Sequence, residues 1–475
     1  MVESTGTTYT AVIAKALVAV LKVDEERARK NVRAVTDPFV GHQFVVNLRA
    51  LQYSNLDDAS ARLQGVSWSE ATAGRIATAE INGPCLRLSV HKARWVRDNF
   101  AKWTAQTTSP SKTDIDTHGE LPKLRVVIDS LAAGFGIRHV EAIGIAGFIA
   151  ATYDGPVEIY EFVDEESKAY ASLRRTVYAN PQESLQKAWL TSKHSPLPPS
   201  PPTAAEFTHN HDEQSFQQTL FREVIYPHLE RSSTPRTSTP DILRSKDFPS
   251  IDPATNEDVV WLTTRPLLSS IQLSTPKPDA HTIPDLTSLL QSELLPTITD
   301  RELFDENAAK GLSLELARTC LLTSALAHST AKPMVDPGAV GLTLQYTHAR
   351  LSFTSDPSSS SAEGLCFGRT AETFTPLASL LSLLSSTLPS APLESNPKAF
   401  IDALLRVAKE LSSVISKTRV RGVTDEGLRE ERRRGLEVGR RVVGWGLVAV
   451  GARGVERIIG IHLDSNPTPH HTMIT

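Results

Sequence analysis

From Ile283 to Val450 the chain keeps returning to one pattern: apolar residues at helical spacing, broken by short polar or proline-containing stretches. The spacing predicts a short helix at Asp285–Gln291, then longer ones at Leu312–Ala327, Gly341–Phe353, Phe374–Leu388, Pro397–Ser416 and Asp425–Val450, with a serine-rich loop at Ser355–Ala362. Consecutive amphipathic helices bury their apolar stripes against one another, so this run demands an all-α region.

The first hundred residues read differently. Val12, Ile13, Leu17, Val20 and Leu21 share one face of a helix expected over Tyr9–Val32. Ile76–Val90 reads as two strands about the turn Asn82-Gly83-Pro84, followed by a basic helix carrying Lys92, Arg94, Arg97 and Lys102 against Asp98. Leu124–Val163 alternates strand and helix signals, as α/β segments do. The fold class expected is therefore α+β, mostly α. The expected divisions are a small N-terminal α/β domain at 1–103, an α/β segment at 120–190, a Pro/Ser/Thr-rich flexible region at 191–256 with one helix near Phe216–Leu229, a helical connector at 257–335, an all-α bundle at 336–458 and a tail at 459–475.

Charge and composition exclude several classes. A formal net charge of −4 over 475 residues rules out a global polycation, so nucleic-acid contact has to come from local basic patches. The three cysteines, Cys85, Cys320 and Cys366, are far apart and lack metal-ligand spacing. The start of the chain has no secretory or transit pattern, and no apolar run is long enough to span a bilayer, which leads to the expectation of a soluble, cytoplasmic protein with no membrane partner. No Walker, nucleophile-elbow or dinucleotide fingerprint is present. His209-Asn-His211 stands in a Pro/Ser-rich stretch without flanking ligands.

One local basic patch stands out. Lys417, Arg419, Arg421, Arg429, Arg432, Arg433, Arg434, Arg440 and Arg441 crowd the last helical stretch, opposed by Asp425, Glu426, Glu430, Glu431 and Glu437. Such cations can contact phosphates, or they can form a solvated face of i,i+4 pairs. Tyr346, His348 and Trp445 can either stack on splayed bases or fill a core.

Two segments carry a resemblance. Gly341-Leu-Thr-Leu-Gln-Tyr-Thr-His-Ala-Arg-Leu351 resembles the L-Q-Y-x-H-x-R helix that opens the DALR anticodon-binding domain of arginyl-tRNA synthetases. Arg440–Ile458 resembles that family's closing G-L-x-L-L-G-I-x-x-P-E-R-M segment, with Gly446, Leu447, Gly451, Glu456 and Arg457 in register and Val455 and Ile458 departing from it. The resemblance implies a C-terminal DALR bundle that grips a tRNA loop, with Gln345, Tyr346, His348, Arg350, Arg433, Arg440, Arg441, Trp445 and Arg457 as the tRNA-binding residues.

The same resemblance implies a degenerate Rossmann-like class I synthetase remnant upstream. Glu120-Leu-Pro-Lys-Leu-Arg-Val-Val-Ile-Asp-Ser-Leu-Ala132 is similar to the family's H-L-R-x-x-x-x-x-D-x-L-A stretch, which continues the H-I-G-H motif at the start of a helix. Glu120, Pro122 and Lys123 stand where that motif has its histidines and glycine, so close approach of a phosphate to backbone N–H groups is lost. No K-M-S-K-S-like run lies between Trp261 and Asp336. The family reading is thus a pseudo-synthetase with no catalytic residues, no metal and no cofactor, whose partners are arginine-type tRNA and a tRNA methyltransferase for which it acts as adaptor. The alternatives are a divergent arginine–tRNA ligase using ATP, and a helical scaffold.

Overall fold

The computed structural model of the chain describes residues 5–35, 37, 41–51, 56–108, 124–130, 144, 145, 147–149, 151, 152, 157–163, 258–263, 272, 273, 291, 292, 294, 306–327, 334, 335, 340–354, 367–388, 397–418, 420, 422–452, 454 and 455. The expected flexible region at 191–256, with its helix near Phe216–Leu229, and the tail at 459–475 lie outside these residues. The chain divides into two compact units, one of Met1–Leu124, Ile149–Val157 and Thr354–Gly446, the other of Arg125–Phe148, Glu158–Phe353 and Leu447–Thr475.

The first unit begins with α1 (Thr5–Leu21) and α2 (Glu25–Asn31). The single helix expected over Tyr9–Val32 is broken because Lys22 takes a left-handed φ of 58° and the Asp24 side chain caps α2, accepting from the Arg27 N–H at 2.8 Å. Strands β1 (Val32–Ala34), β2 (Phe44–Asn47), β3 (Ile76–Asn82) and β4 (Cys85–Val90) form an antiparallel sheet in the order β1-β2-β4-β3, with the short helices α3 (Leu56–Gln64) and α4 (Trp68–Ala71) before β3. The expected hairpin is β3–β4, turning at Gly83 with φ 56°. Leu86, Leu88 and Val90 alternate inward, where they meet the core of Tyr9, Ile13, Phe44 and Trp95.

The basic helix expected after the hairpin is α5 (Lys92–Thr108). Its apolar face joins the sheet to the C-terminal helices α8 (Ala371–Ser386), α9 (Pro397–Lys417) and the greater part of α10 (Glu426–Ala449). Trp95 Nε1 donates to Ser379 Oγ at 3.2 Å and Trp103 Nε1 to the Leu381 carbonyl at 3.0 Å. Phe100 meets Phe367 and Phe374 edge-on, and Trp103 meets Trp445, which in turn meets Phe400. Fully burying several aromatic side chains, at about 1.5–3 kcal/mol each, makes the N-terminal sheet and these helices one folding body.

Within that body α9 and α10 run antiparallel, with Gly439 against Leu411 and Gly446 against Leu404. Gly435, on the same face of α10, receives the Phe374 ring. Any side chain at these three glycines would occupy space already filled, so the face is fixed by what is missing from it.

The second unit holds β5 (Leu124–Ser130), β6 (Val157–Val163) and β7 (Asp258–Thr263) in a sheet of order β6-β5-β7, and β8 (Gln272–Leu273) paired in parallel with β9 (Met334–Val335). It also holds α6 (Glu306–Ala327) and α7 (Val340–Thr354) up to Phe353. Two expectations are corrected here. Residues 124–130, aligned by resemblance with a motif-bearing helix, are a strand. The run Val126-Val127-Ile128 is β-branched throughout, which suits an extended backbone better than a helix. The stretch 257–335, expected to be a helical connector, holds the helix α6 but also contributes strands β7, β8 and β9, the first around the β-branched pair Val259-Val260. The stretch expected as a single bundle, 336–458, is shared between the units, with α8 to Gly446 in the first and α7 and Leu447 onward in the second. No helix among the described residues is long and apolar enough to cross a membrane.

Candidate nucleic-acid interface

The expected RNA-binding residues that are described lie on α7 and α10, some enclosed and some partly exposed. On α7, Gln345 is 0% exposed. Its Oε1 accepts from the Val455 N–H at 2.9 Å, and its Nε2 donates to Thr319 Oγ1 at 2.8 Å. That hydroxyl donates onward to the Glu315 carbonyl at 2.9 Å, one turn earlier on α6. His348 is also buried, with Nδ1 3.0 Å from the Val455 carbonyl oxygen. A carbonyl only accepts, so Nδ1 carries the proton of this contact. The two motif side chains thus clamp both polar groups of one backbone residue.

The clamp depends on local backbone geometry. Gly451, with φ 84°, ends α10: its N–H donates to the Val448 carbonyl at 3.0 Å and the Ala452 N–H to the Leu447 carbonyl at 2.8 Å, a Schellman pair. Gly454 passes so close to His348 that an added Cβ would lie 2.7 Å from Cε1. Gly341 brings α7 onto α6, leaving 2.9 Å between an added Cβ and the Cys320 nitrogen. Direct RNA contact by Gln345 and His348 is therefore corrected: enclosed and committed to the backbone, they position the closing segment. Tyr346 and Arg350, one turn apart on α7, are partly exposed and share a face. Arg457 lies outside the described residues.

On α10 the spacing Glu-x-x-Arg-Arg occurs twice, seven residues apart. Arg433 donates to Glu430 through Nε at 2.9 Å and Nη2 at 3.1 Å, and Arg434 Nε donates to the same carboxylate. Arg440 donates to Glu437 through Nε and Nη2, each at 2.8 Å, and Arg441 Nε does so at 2.9 Å. Hydrogen bonds from Arg433 and then Arg434 hold the Glu430 carboxyl below its ordinary value. Glu437 is only 4% exposed, so it serves as a fixed anchor, while its two arginine side chains stay 24% and 20% exposed.

Each triad sets two guanidiniums on one shared carboxylate. Seven residues separate the two anchors, about 10 Å along the helix axis. Anchoring long arginine side chains by one carboxylate lowers the entropy lost when they meet a phosphate. The seven-residue repeat is legible in the sequence, but the anchoring role of Glu430 and Glu437 is not, because there they count only as opposing charge. Trp445, expected to stack either on bases or in a core, is packed against Trp103 and Phe400.

The ends of α8 and α10 are stapled below this surface. Arg369 pairs with Asp425, and the Thr370 N–H and hydroxyl donate to Glu431 at 3.1 and 2.8 Å. Asp425 also caps α10, accepting from the Leu428 N–H at 3.0 Å. That backbone hydrogen bond, then the Arg369 guanidinium, hold its carboxyl low. Among the described residues no cluster of three or more His, Cys, Asp or Glu could hold a metal ion.

The fold these elements build is of the arginyl-tRNA synthetase type. One solved structure it is similar to is Thermus thermophilus arginyl-tRNA synthetase, with a TM-score of 0.52 over 94% of this chain and 99% of that chain, at 12% sequence identity. At that identity the likeness is one of fold. No protein-family model and no curated protein matches the sequence.

Proposed function

We propose that this chain is a tRNA-binding protein that recognises arginine-type tRNA through a DALR-like C-terminal region, without aminoacylation of its own, and serves as an adaptor for a tRNA-modifying methyltransferase. The observation that carries the RNA-binding part is the pair of anchored Glu–Arg–Arg triads on α10 of an arginyl-tRNA synthetase-type fold. In this reading Arg433, Arg440, Arg441 and Arg457 meet phosphates, Tyr346 and Arg350 meet the loop, and Gln345, His348 and Trp445 hold the helices that present them. The pseudoenzyme part is supported by the absence of a K-M-S-K-S-like run between Trp261 and Asp336. The adaptor role and the cytoplasmic setting rest on the family resemblance.

The second reading, an ATP-dependent arginine–tRNA ligase, is favoured by the extent of the structural likeness, which covers nearly the whole solved synthetase. One experiment separates the two. Purified protein is incubated with arginine, ATP and arginine tRNA, and charged tRNA and bound tRNA are measured on the same sample. The proposal expects binding without charging. Charged product establishes the ligase, and no binding at low salt leaves a scaffold. Arg440→Ala with Arg441→Ala is expected to weaken binding about tenfold or more, as removal of charge-assisted hydrogen bonds to phosphate does.

A further inference from the structure

Hydroxyl side chains gather around the connection from α9 to α10, and one of them differs from the rest. Ser412, Ser413 and Ser416 lie within α9, where the backbone is committed to helix and Ser416 Oγ donates to the Ser412 carbonyl at 2.9 Å. Thr418 is buried, and its N–H donates to the Val414 carbonyl at 2.7 Å. Thr424 lies outside both helices and is exposed, as are Asp425, Glu426 and Gly427 after it. Among the described residues its hydroxyl makes no hydrogen bond. Two residues earlier, Gly422 is exposed with a left-handed φ of 83°. Gly427 weakens the first turn of α10, so that turn frays at small cost. An enzyme cleft that takes its substrate extended can therefore draw in Thr424 without opening the core.

The sequence before this hydroxyl is as selective as its setting. Arg419-Val-Arg421-Gly-Val-Thr424 puts arginines five and three residues ahead of it, and nowhere else in the chain do two arginines stand at these spacings before a serine or threonine. Alternate residues of an extended chain share one side, so the two guanidiniums offer one cationic strip to a protein lined with carboxylates. Arg419 and Arg421 lie outside the described residues, and their spacing is a property of the sequence. On the other side of the hydroxyl, Arg369 pairs with Asp425, the next residue along, and its side chain is 61% exposed. Asp425 also accepts from the Leu428 N–H at 3.0 Å, so it keeps a partner when the guanidinium turns to a new anion.

We propose that Thr424 is a phosphorylation site for an arginine-directed serine/threonine kinase, and that the phosphate formed there is held by Arg369. In the transfer the Thr424 hydroxyl oxygen bonds to the γ-phosphorus of ATP and the bond from that phosphorus to the β–γ bridging oxygen breaks. ADP leaves, and the hydroxyl proton passes to a carboxylate base of the kinase. The product carries about −1.5 to −2 charge at pH 7, with strong acceptor oxygens. The planar Arg369 guanidinium has donors enough to serve this phosphate and Asp425 together. The modification adds a tie between the start of α8 and the start of α10, beside the hydrogen bonds from Thr370 to Glu431. The site does not rest on the tRNA reading.

The full chain is incubated with ATP and a purified serine/threonine kinase selective for arginine at these two spacings, and the product is mapped by peptide mass spectrometry. The expected result is phosphate on Thr424, lost in Thr424→Ala, with kcat/KM lowered about tenfold or more in Arg421→Gln. Phosphate confined to other residues, or an undiminished rate in Arg421→Gln, overturns the site. Phosphorus NMR of the phosphorylated chain then follows the second ionisation of the phosphate, which lies at about 6 for an unpaired phosphothreonine. Pairing with Arg369 is expected to lower it, and Arg369→Gln to return it toward the unpaired value. Identical titrations in the two chains overturn the pairing. Thr424 and Arg369 are both exposed, so these substitutions leave the core intact.

Discussion

The two helices that carry the family likeness use it in opposite directions. On α7 the most recognisable side chains, Gln345 and His348, turn inward and clamp the backbone of Val455. On α10 the small residues turn inward, Gly435, Gly439 and Gly446 admitting Phe374, Leu411 and Leu404, and the arginines turn outward around two carboxylate anchors. A motif residue can therefore mark a fold because it holds the chain together, while the charged face of a helix is built around carboxylates that the motif does not include.

Breaking the packing side of α10 gives the largest expected effect. Trp103→Ala removes a fully buried ring that meets Trp445 and donates to the Leu381 carbonyl. It should cost about 3–5 kcal/mol in denaturant unfolding. Because the sheet and α8–α10 share that core, near- and far-ultraviolet signals should disappear in one transition. Two separated transitions would show the N-terminal module to be independent. Gly439→Ala is expected to cost about 1–3 kcal/mol by overpacking against Leu411, with the compensating variant Leu411→Ala in the same chain recovering part of the loss.

Gln345→Leu sharpens the contrast, since it keeps the volume and removes the clamp. The Val455 N–H and the Thr319 hydroxyl lose a partner, and the expected cost is about 1–3 kcal/mol. Hydrogen exchange at Val455 should accelerate, while the salt dependence of RNA binding stays as it was. A changed salt dependence would return Gln345 to the interface.

The smallest effect lies away from both helices, at Lys102 on α5, whose ammonium is pushed down to about 8 from 10.5 by burial. Below pH 8 both folded and unfolded chains hold the proton and the full cost of enclosing the charge is felt. Between pH 8 and 10.5 the unfolded chain binds more protons, so wild-type stability gains with rising pH. Lys102→Met should raise the thermal midpoint at pH 7, and that gain should shrink across the same interval. A gain independent of pH would assign it to packing alone.

Periodicity made most of the fold legible. The helices expected at 341–353, 374–388, 397–416 and 425–450 appear as Val340–Thr354, Ala371–Ser386, Pro397–Lys417 and Glu426–Ala449. Their ends shift by a few residues where a cap decides, as Asp425 does for α10. What stayed hidden is long-range. Nothing near Trp95 or Trp103 indicates that each will find its hydrogen-bond acceptor on α8, some 280 residues on. The strand at 124–130 falls in a stretch read as alternating strand and helix signals, and its β-branched run is the local signal for it. At the candidate site the charges were legible and the burial was not: Gln345 and Tyr346 are neighbours in one motif, and only the packing of α7 on α6 sends the first inward.

The most direct test of the central claim, that the α10 triads grip RNA phosphates, is the slope of log affinity for arginine tRNA against log salt concentration. Arg440→Ala with Arg441→Ala should flatten that slope by roughly 0.7–0.9 for each phosphate that the two arginines neutralise, up to two phosphates. A double variant with weakened binding but an unchanged slope, or with unchanged binding, would contradict the account.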